Sequence, residues 1–294
     1  MKTNGNALTL LDVKHNLPRG NVSVRACNIS KKTSFLDYIQ EGLQLHFITA
    51  IDFTSSNGDP KDPASLHHLN TNPDIMNPYE LAISSIARVL DVFDTDKIYP
   101  CYGFGAKLTR SGVVNHCFPL TQGPASKGIE ELLKSYRTAV QNTFFSGPTV
   151  FARVISEVKQ FANTLPQETV NRNYVILLIL TDGAITDMAN CIEEIVSASK
   201  SPMSITILGI GKEDFSSMTI LDGDSKKLQT RTGEIAVRDI VQFTAMRNFS
   251  EDLAQVKEVN LQKVKLTDLI CREVLCEIPN QVTSYFDMIR EPHV

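Results

Sequence analysis

Short apolar runs alternate with amphipathic stretches from about residue 43 to residue 245. Leu45–Phe53 (LHFITAIDF) predicts a first strand. Tyr79–Phe93 follows, with Leu81, Ile83, Ile86, Val89, Leu90 and Phe93 at helical spacing. Lys97–Phe104 is strand-like, and Val113–Leu120 predicts a short edge strand. Ile129–Val140 carries Ile129, Leu132, Leu133, Tyr136 and Val140 on one helical stripe. Phe151–Leu165 does the same with Val154, Ile155, Val158, Phe161 and Leu165, and Pro166 marks its stop. Tyr174–Leu180 is apolar at seven successive positions, as a parallel strand covered on both faces should be. Asp187 is the expected N-cap of a helix over Met188–Ser199. Pro202 leads into a buried strand, Met203–Ile210. Ile240–Ala245 is the last strand and Leu261–Ile278 a final helix. The alternation predicts an α/β fold: a doubly wound, mostly parallel sheet flanked by helices, Rossmann-like in its layers.

The first 40 residues break that rhythm. Asn21–Cys27 (NVSVRAC) alternates apolar and polar, as one strand of an antiparallel sheet does. A lone strand buries no face by itself. It is either a remnant of a preceding β-sandwich domain or a strand that pairs with the α/β body. The expected division is therefore an N-terminal segment over 1–34, one α/β domain over 35–286 and a tail over 287–294.

Composition narrows the function. With 294 residues, 42% of them hydrophobic, the chain can bury a sizeable core. Twenty-nine Lys+Arg against 33 Asp+Glu give −4, so no basic excess supports nucleic-acid binding or a strongly cationic membrane surface. No apolar run approaches the roughly 20 residues of a spanning helix. Met1–Lys14 has no sustained apolar region, so no secretory signal is read there. Cys27, Cys101, Cys117, Cys191, Cys271 and Cys276 form no CxxC pair and read as reduced thiols of a cytoplasmic protein. In that setting the sequons at Asn21, Asn28 and Asn248 are chance matches.

Ligands of open α/β sheets bind at the carboxyl ends of the strands. The first strand ends in Asp52-Phe53-Thr54-Ser55-Ser56, the central strand in Thr181-Asp182-Gly183, and Ser146-Gly147-Pro148-Thr149 opens the helix at 151–165. These supply two carboxylates and several hydroxyls at one edge. An all-oxygen set suits a hard cation such as Mg²⁺ or Mn²⁺. It falls short of six protein ligands, so water or an acidic group from a partner completes the shell.

The set Asp52-x-Thr54-x-Ser56, Thr149 and Asp182 resembles the metal-ion-dependent adhesion site of von Willebrand factor A domains. The resemblance to copines is closer. It rests on Phe35-Leu36-Asp37-Tyr38-Ile39, Asp52-Phe53-Thr54-x-Ser56-Asn57-Gly58, Gly103-Phe104-Gly105-Ala106, Gly147-Pro148-Thr149, Leu180-Thr181-Asp182-Gly183, Leu221-Asp222-Gly223-Asp224-Ser225 and Arg238-Asp239-Ile240-Val241-Gln242-Phe243. It runs from about residue 30 to residue 286. The resemblance implies that Thr54 and Ser56 contact the metal directly and that Asp52 and Asp182 hold it directly or through water. Thr149 would join or leave the shell as a partner binds. Thr54 stands where many A domains carry Ser, and the hydroxyl is kept. The family usually carries two calcium-dependent, phospholipid-binding C2 domains ahead of the A domain. Here at most Asn21–Cys27 stands for them, so Ca²⁺ and membrane docking are not carried over residue by residue. Either the chain is a short form or fragment, or it has lost that activity.

The implied function is a non-enzymatic, metal-dependent interaction module. Its partners are proteins offering an Asp or Glu carboxylate, and membrane association, peripheral at the plasma membrane, comes indirectly or by family only. The alternative is a Mg²⁺-dependent phosphoryl-transfer enzyme with Asp52 as nucleophile. Phosphatases of that kind place a second Asp two residues on, where this chain has Thr54. No nucleophile with an orienting base and no GxSxG elbow is visible. A ubiquitin-ligase role, known in plant proteins with a copine-like A domain, needs a zinc-binding RING. After residue 276 this sequence has no cysteine and only His293.

Other motifs read as structure. Asp222-Gly223-Asp224 lacks the rest of an EF-hand loop and reads as a turn. Gly209-Ile210-Gly211 fails the dinucleotide fingerprint at Asp214, leaving Gly211 as a turn residue. His67-His68 has no HExxH frame. Cys271 and Cys276 are read as buried small side chains. The stripe Leu266, Leu269, Ile270 and Val274 is expected to dock on the chain's own sheet.

Overall fold

A computed structural model describes residues 8–11, 18–22, 32–72, 75–91, 93, 96–121, 125–168, 172–223, 226–249 and 259–290. The chain divides into two compact units, Met1–Thr33 and Ser34–Val294. In the first, β1 (Leu8–Leu11) pairs antiparallel with β2 (Pro18–Val22), with a register shift between Leu10 and Leu11. Of the alternating stretch Asn21–Cys27, the first two residues lie in β2, and residues 23–27 lie outside the described residues.

The larger unit begins with α1 (Phe35–Gln40), whose N-cap is Ser34: its hydroxyl accepts from the Asp37 amide while the Asp37 carboxylate accepts from the Ser34 amide. Then come β3 (Gln44–Asp52), α2 (Pro78–Leu90), β4 (Ile98–Tyr99), β5 (Cys101–Phe104), β6 (Ala106–Lys107), β7 (Val114–Asn115), β8 (Phe118–Pro119), β9 (Ser126–Lys127), α3 (Ile129–Asn142) and β10 (Phe144–Phe145). The second half holds α4 (Ala152–Thr164), β11 (Asn173–Thr181), α5 (Met188–Ala198), β12 (Met203–Gly209), α6 (Ser216–Asp222), β13 (Val241–Ala245), α7 (Val259–Leu275) and α8 (Ile278–Arg290).

The main sheet has the order β13-β12-β11-β3-β5-β8. Every pairing in it is parallel except β5 with β8, which closes one edge. All nine residues of β11 are buried. Tyr174, Ile176, Leu178 and Leu180 enter the core on one face, with side chains of α1, α2, α3, α7 and α8. Val175, Leu177 and Ile179 enter the opposite core, with α4, α5 and α6. A strand sandwiched this way has no face left for polar residues, which explains its unbroken apolar run.

Several boundaries differ from the sequence pattern. The strand expected over Lys97–Phe104 is two strands, β4 and β5, in separate sheets, with Pro100 between them. Proline has no amide hydrogen for the ladder. The edge strand expected over Val113–Leu120 is likewise the separate pieces β7 and β8. The helix expected over Tyr79–Phe93 ends at Leu90. Asp187 sits before α5 but makes no cap bond there; its carboxylate accepts from the amides of Phe151 and Ala152 at 3.1 and 3.0 Å, capping α4 instead. The expected single last helix is two, α7 and α8. Because α8 continues through Arg290, the tail expected from 287 is helical at its start. Leu269, Ile270 and Val274 are buried, so the α7 stripe docks on the chain's own core. Cys271 is buried there, whereas Cys276, beyond the end of α7, is exposed.

Candidate metal centre

Parallel pairing of β3 with β11 brings Ile51 opposite Leu180, so both strands end together and deliver Asp52, Thr181 and Asp182 to one edge. Asp52 is fully buried. Its Oδ1 accepts from the Thr54 amide at 2.8 Å and its Oδ2 from the Thr181 hydroxyl at 2.6 Å. The Thr54 and Ser56 hydroxyls are 2.9 Å apart, and Ser56 donates to Asp182 Oδ1 at 3.0 Å. Four of the five residues expected from the sequence thus form one hydrogen-bonded chain. Thr149 lines the same open depression of about 300 Å³ as Thr54 and Ser56, but its hydroxyl makes no hydrogen bond to the other four.

The loop that carries Thr149 is fastened on both sides. Ser146 accepts from the Ser55 amide at 2.7 Å and donates its own amide to Gly105 at 3.0 Å. The Thr149 carbonyl accepts from the amide and hydroxyl of Thr186, at 2.9 and 2.6 Å. Gly105, with φ of 78°, passes so close to Thr54 that an added Cβ would stand 2.4 Å from the threonine methyl. Glycine is the residue this left-handed, crowded position accepts.

A buried polar layer underlies the Asp52–Gly58 loop. The His67 ring is stacked between Phe53 and Tyr79, with centroids at 5.4 and 3.9 Å. Its Nε2 lies 2.8 Å from the Asp52 carbonyl and its Nδ1 2.8 Å from the Tyr136 hydroxyl. A carbonyl only accepts, so Nε2 carries the proton and Nδ1 accepts from Tyr136. Burial holds the His67 pKa down to about 3, keeping the ring neutral. Tyr79 donates to Asn57 Oδ1 at 2.7 Å, and Asn57 donates to the Thr54 carbonyl at 3.2 Å. His67 is therefore structural, as its lack of a zinc frame indicates.

Electrostatically the edge is short of positive charge. Burial raises the pKa of Asp52. Burial, and then the charge of Asp52, pushes Asp182 up to about 7. Neither carboxylate has an ion-pair partner among the described residues, and Glu213 adds a further negative charge at the depression. Two desolvated carboxylates next to neutral hydroxyls are a poor resting state, and a divalent cation is what this donor set fits. Among the described residues no group of three or more His, Cys, Asp and Glu is arranged for a metal. The donors here are two carboxylates and hydroxyls instead.

Thr181, Asn57, His67 and Glu213 were not singled out from sequence as parts of the site. Thr181 had a signal, standing between the apolar strand and Asp182. Nothing in the sequence marks Glu213, which lies beyond β12.

The mostly parallel sheet, its order and its flanking helices make this a doubly wound α/β fold. The family model described as Copine matches residues 65–292, and the chain belongs to the copine family. Solved structures with similar folds include a von Willebrand factor type A protein from Catenulispora acidiphila (12% identity, TM-score 0.43, 79% of this chain and 43% of that one). Others are the manganese-loaded TRAP protein of Plasmodium vivax (15%, 0.43, 70% and 70%) and a mussel byssus proximal thread matrix protein with a zinc-occupied MIDAS motif (14%, 0.43, 78% and 48%). The chain spans less than half the length of the bacterial and mussel chains. At these scores the likeness carries no argument about site or ligand. No helix among the described residues is long and apolar enough to cross a membrane.

Proposed function

We propose that the α/β domain is a non-enzymatic protein-interaction module. It binds an acidic group of a partner through a divalent cation, Mg²⁺ or Mn²⁺, held by Asp52, Thr54, Ser56, Thr149 and Asp182. The observation that carries the proposal is the pair of buried, unpaired carboxylates joined through Thr54 and Ser56 beside an open depression. A bound cation supplies charge neutralisation and an open coordination position. The chain's own residues do the rest. Thr181 and the Thr54 amide fix the Asp52 carboxylate, Ser56 orients Asp182, and Thr186 anchors the backbone of Thr149. The second carboxylate that an aspartyl-phosphate enzyme carries two residues on is Thr54 here, which supports a ligand role for Asp52 over that of an attacking nucleophile.

Calorimetric titration of Mg²⁺ and Mn²⁺ into the wild-type chain and into Asp52→Ala/Asp182→Ala tests this. Saturable binding that disappears in the double variant is expected. Wild-type protein that stays silent both alone and with an acidic peptide present would overturn the proposal.

A further inference from the structure

A second, larger depression of about 790 Å³ lies beside the metal edge, and Ser55 lines both. Its walls carry Lys61 and Arg110, both exposed. Neither forms an ion pair or a side-chain hydrogen bond among the described residues. The chain as a whole is acidic, at −4, so two unengaged cations converging on one hollow are a local exception. Asp59, the acidic residue of that lining, accepts from the Lys61 amide at 3.0 Å. The apolar part is supplied by Leu69, which is half-buried, and by Phe144, 42% exposed on β10.

We infer that this groove receives the continuation of the partner chain whose carboxylate reaches the metal site. The occupant is an extended acidic segment of a protein. One Asp or Glu sits at the cation, a second acidic side chain meets Lys61 and Arg110, and an apolar side chain rests on Leu69 and Phe144. The inference rests on the proposed function and adds the chemistry of the partner. Continuity through Ser55 gives the path, and charge complementarity gives the sign. Exposed pairs of this kind act mainly on association rate and selectivity, and salt screens them.

The test uses the full chain and a labelled synthetic peptide, Gly-Asp-Gly-Leu-Glu-Asp-Leu-Glu-Gly, with Mg²⁺ present. Lys61→Glu/Arg110→Glu should weaken peptide binding about tenfold at low salt and far less at high salt. Mg²⁺ affinity measured without peptide should stay within about threefold, because neither residue is a ligand. Lys61→Gln/Arg110→Gln should fall between. Retained Mg²⁺ binding with unchanged peptide affinity overturns the groove while leaving the metal site standing. A wild-type chain that binds neither Mg²⁺ nor peptide overturns both. Vesicles of phosphatidylserine and phosphatidylcholine complete the set. Vesicle binding lost on charge reversal, with peptide binding unaffected, assigns the cations to a lipid surface and overturns the acidic segment.

Discussion

Asp182→Asn should make the metal-free protein more stable and the metal-loaded protein less so. Asn keeps the shape and an oxygen that accepts from Ser56, which donates to Asp182 at 3.0 Å. What it removes is a charge that burial and Asp52 oppose. With the carboxyl pushed up to about 7, the folded state holds its proton more tightly than the unfolded chain, where an Asp titrates near 3.9. Stability therefore falls as pH rises between those values, and at pH 8 the wild type carries the full cost. Three units correspond to about 4 kcal/mol as a ceiling, and solvent at the open edge of the site reduces this to about 1–2 kcal/mol. Urea unfolding in EDTA should thus show the variant more stable by that amount at pH 8, and the two proteins converging at pH 4. Adding Mg²⁺ should reverse the order. At a hundred times its dissociation constant a ligand stabilises by about 2.7 kcal/mol, and the variant should gain little of it. A variant less stable than wild type in EDTA at pH 8, or equally stabilised by Mg²⁺, would refute the reasoning.

Further expectations concern the supports of the site. Gly105→Ala introduces a Cβ 2.4 Å from the Thr54 methyl at a φ of 78°; it should cost about 1–2 kcal/mol in backbone strain alone and weaken Mn²⁺ binding in calorimetry. His67 is neutral when folded, with a pKa near 3, so its contribution is lost as pH falls from about 6.5, at up to about 1.4 kcal/mol per pH unit. His67→Gln, although less stable at pH 7, should show a flatter pH dependence of urea midpoints over that range. Arg238 is buried and donates to the Tyr174 hydroxyl at 3.0 Å and to the carbonyls of Ser201, Met203 and Gln281. Arg238→Met should destabilise by about 3 kcal/mol, because it leaves several buried acceptors bare and frees α8 from the sheet; denaturant midpoints and hydrogen exchange in Ile278–Arg290 report it.

The elements legible in the sequence were those whose environment writes itself into a single segment. β11 is buried on both faces, so its apolar run is unbroken. α3 packs one stripe and α4 packs Val154, Ile155 and Val158, so their spacing is helical, although Phe161 of the expected α4 stripe is 37% exposed. What depends on distant partners was not legible. Asp187 caps a helix 35 positions earlier, a choice made by the loop after β11 and invisible in the local pattern. The split of α7 from α8 falls at Cys276-Glu277, and Pro279, which has no amide hydrogen to continue a helix and sits in the first turn of α8, is a local signal for it. Val282, Tyr285 and Phe286 do carry helical spacing and are buried, so α8 was readable in principle. At the candidate site, Asp52, Thr54, Ser56 and Asp182 could be picked out because they follow strand ends. His67 and Tyr79, which support the same loop from below, are set by tertiary packing alone.

The most direct test of the central claim is water-proton relaxivity of the Mn²⁺-loaded protein titrated with a Glu-containing peptide. If the partner's carboxylate enters the open coordination position, it displaces bound water, and relaxivity should fall on saturation with the Glu peptide but not with its Gln counterpart. Equal relaxivity with both peptides, at concentrations where the Glu peptide is shown to be bound, would contradict the account.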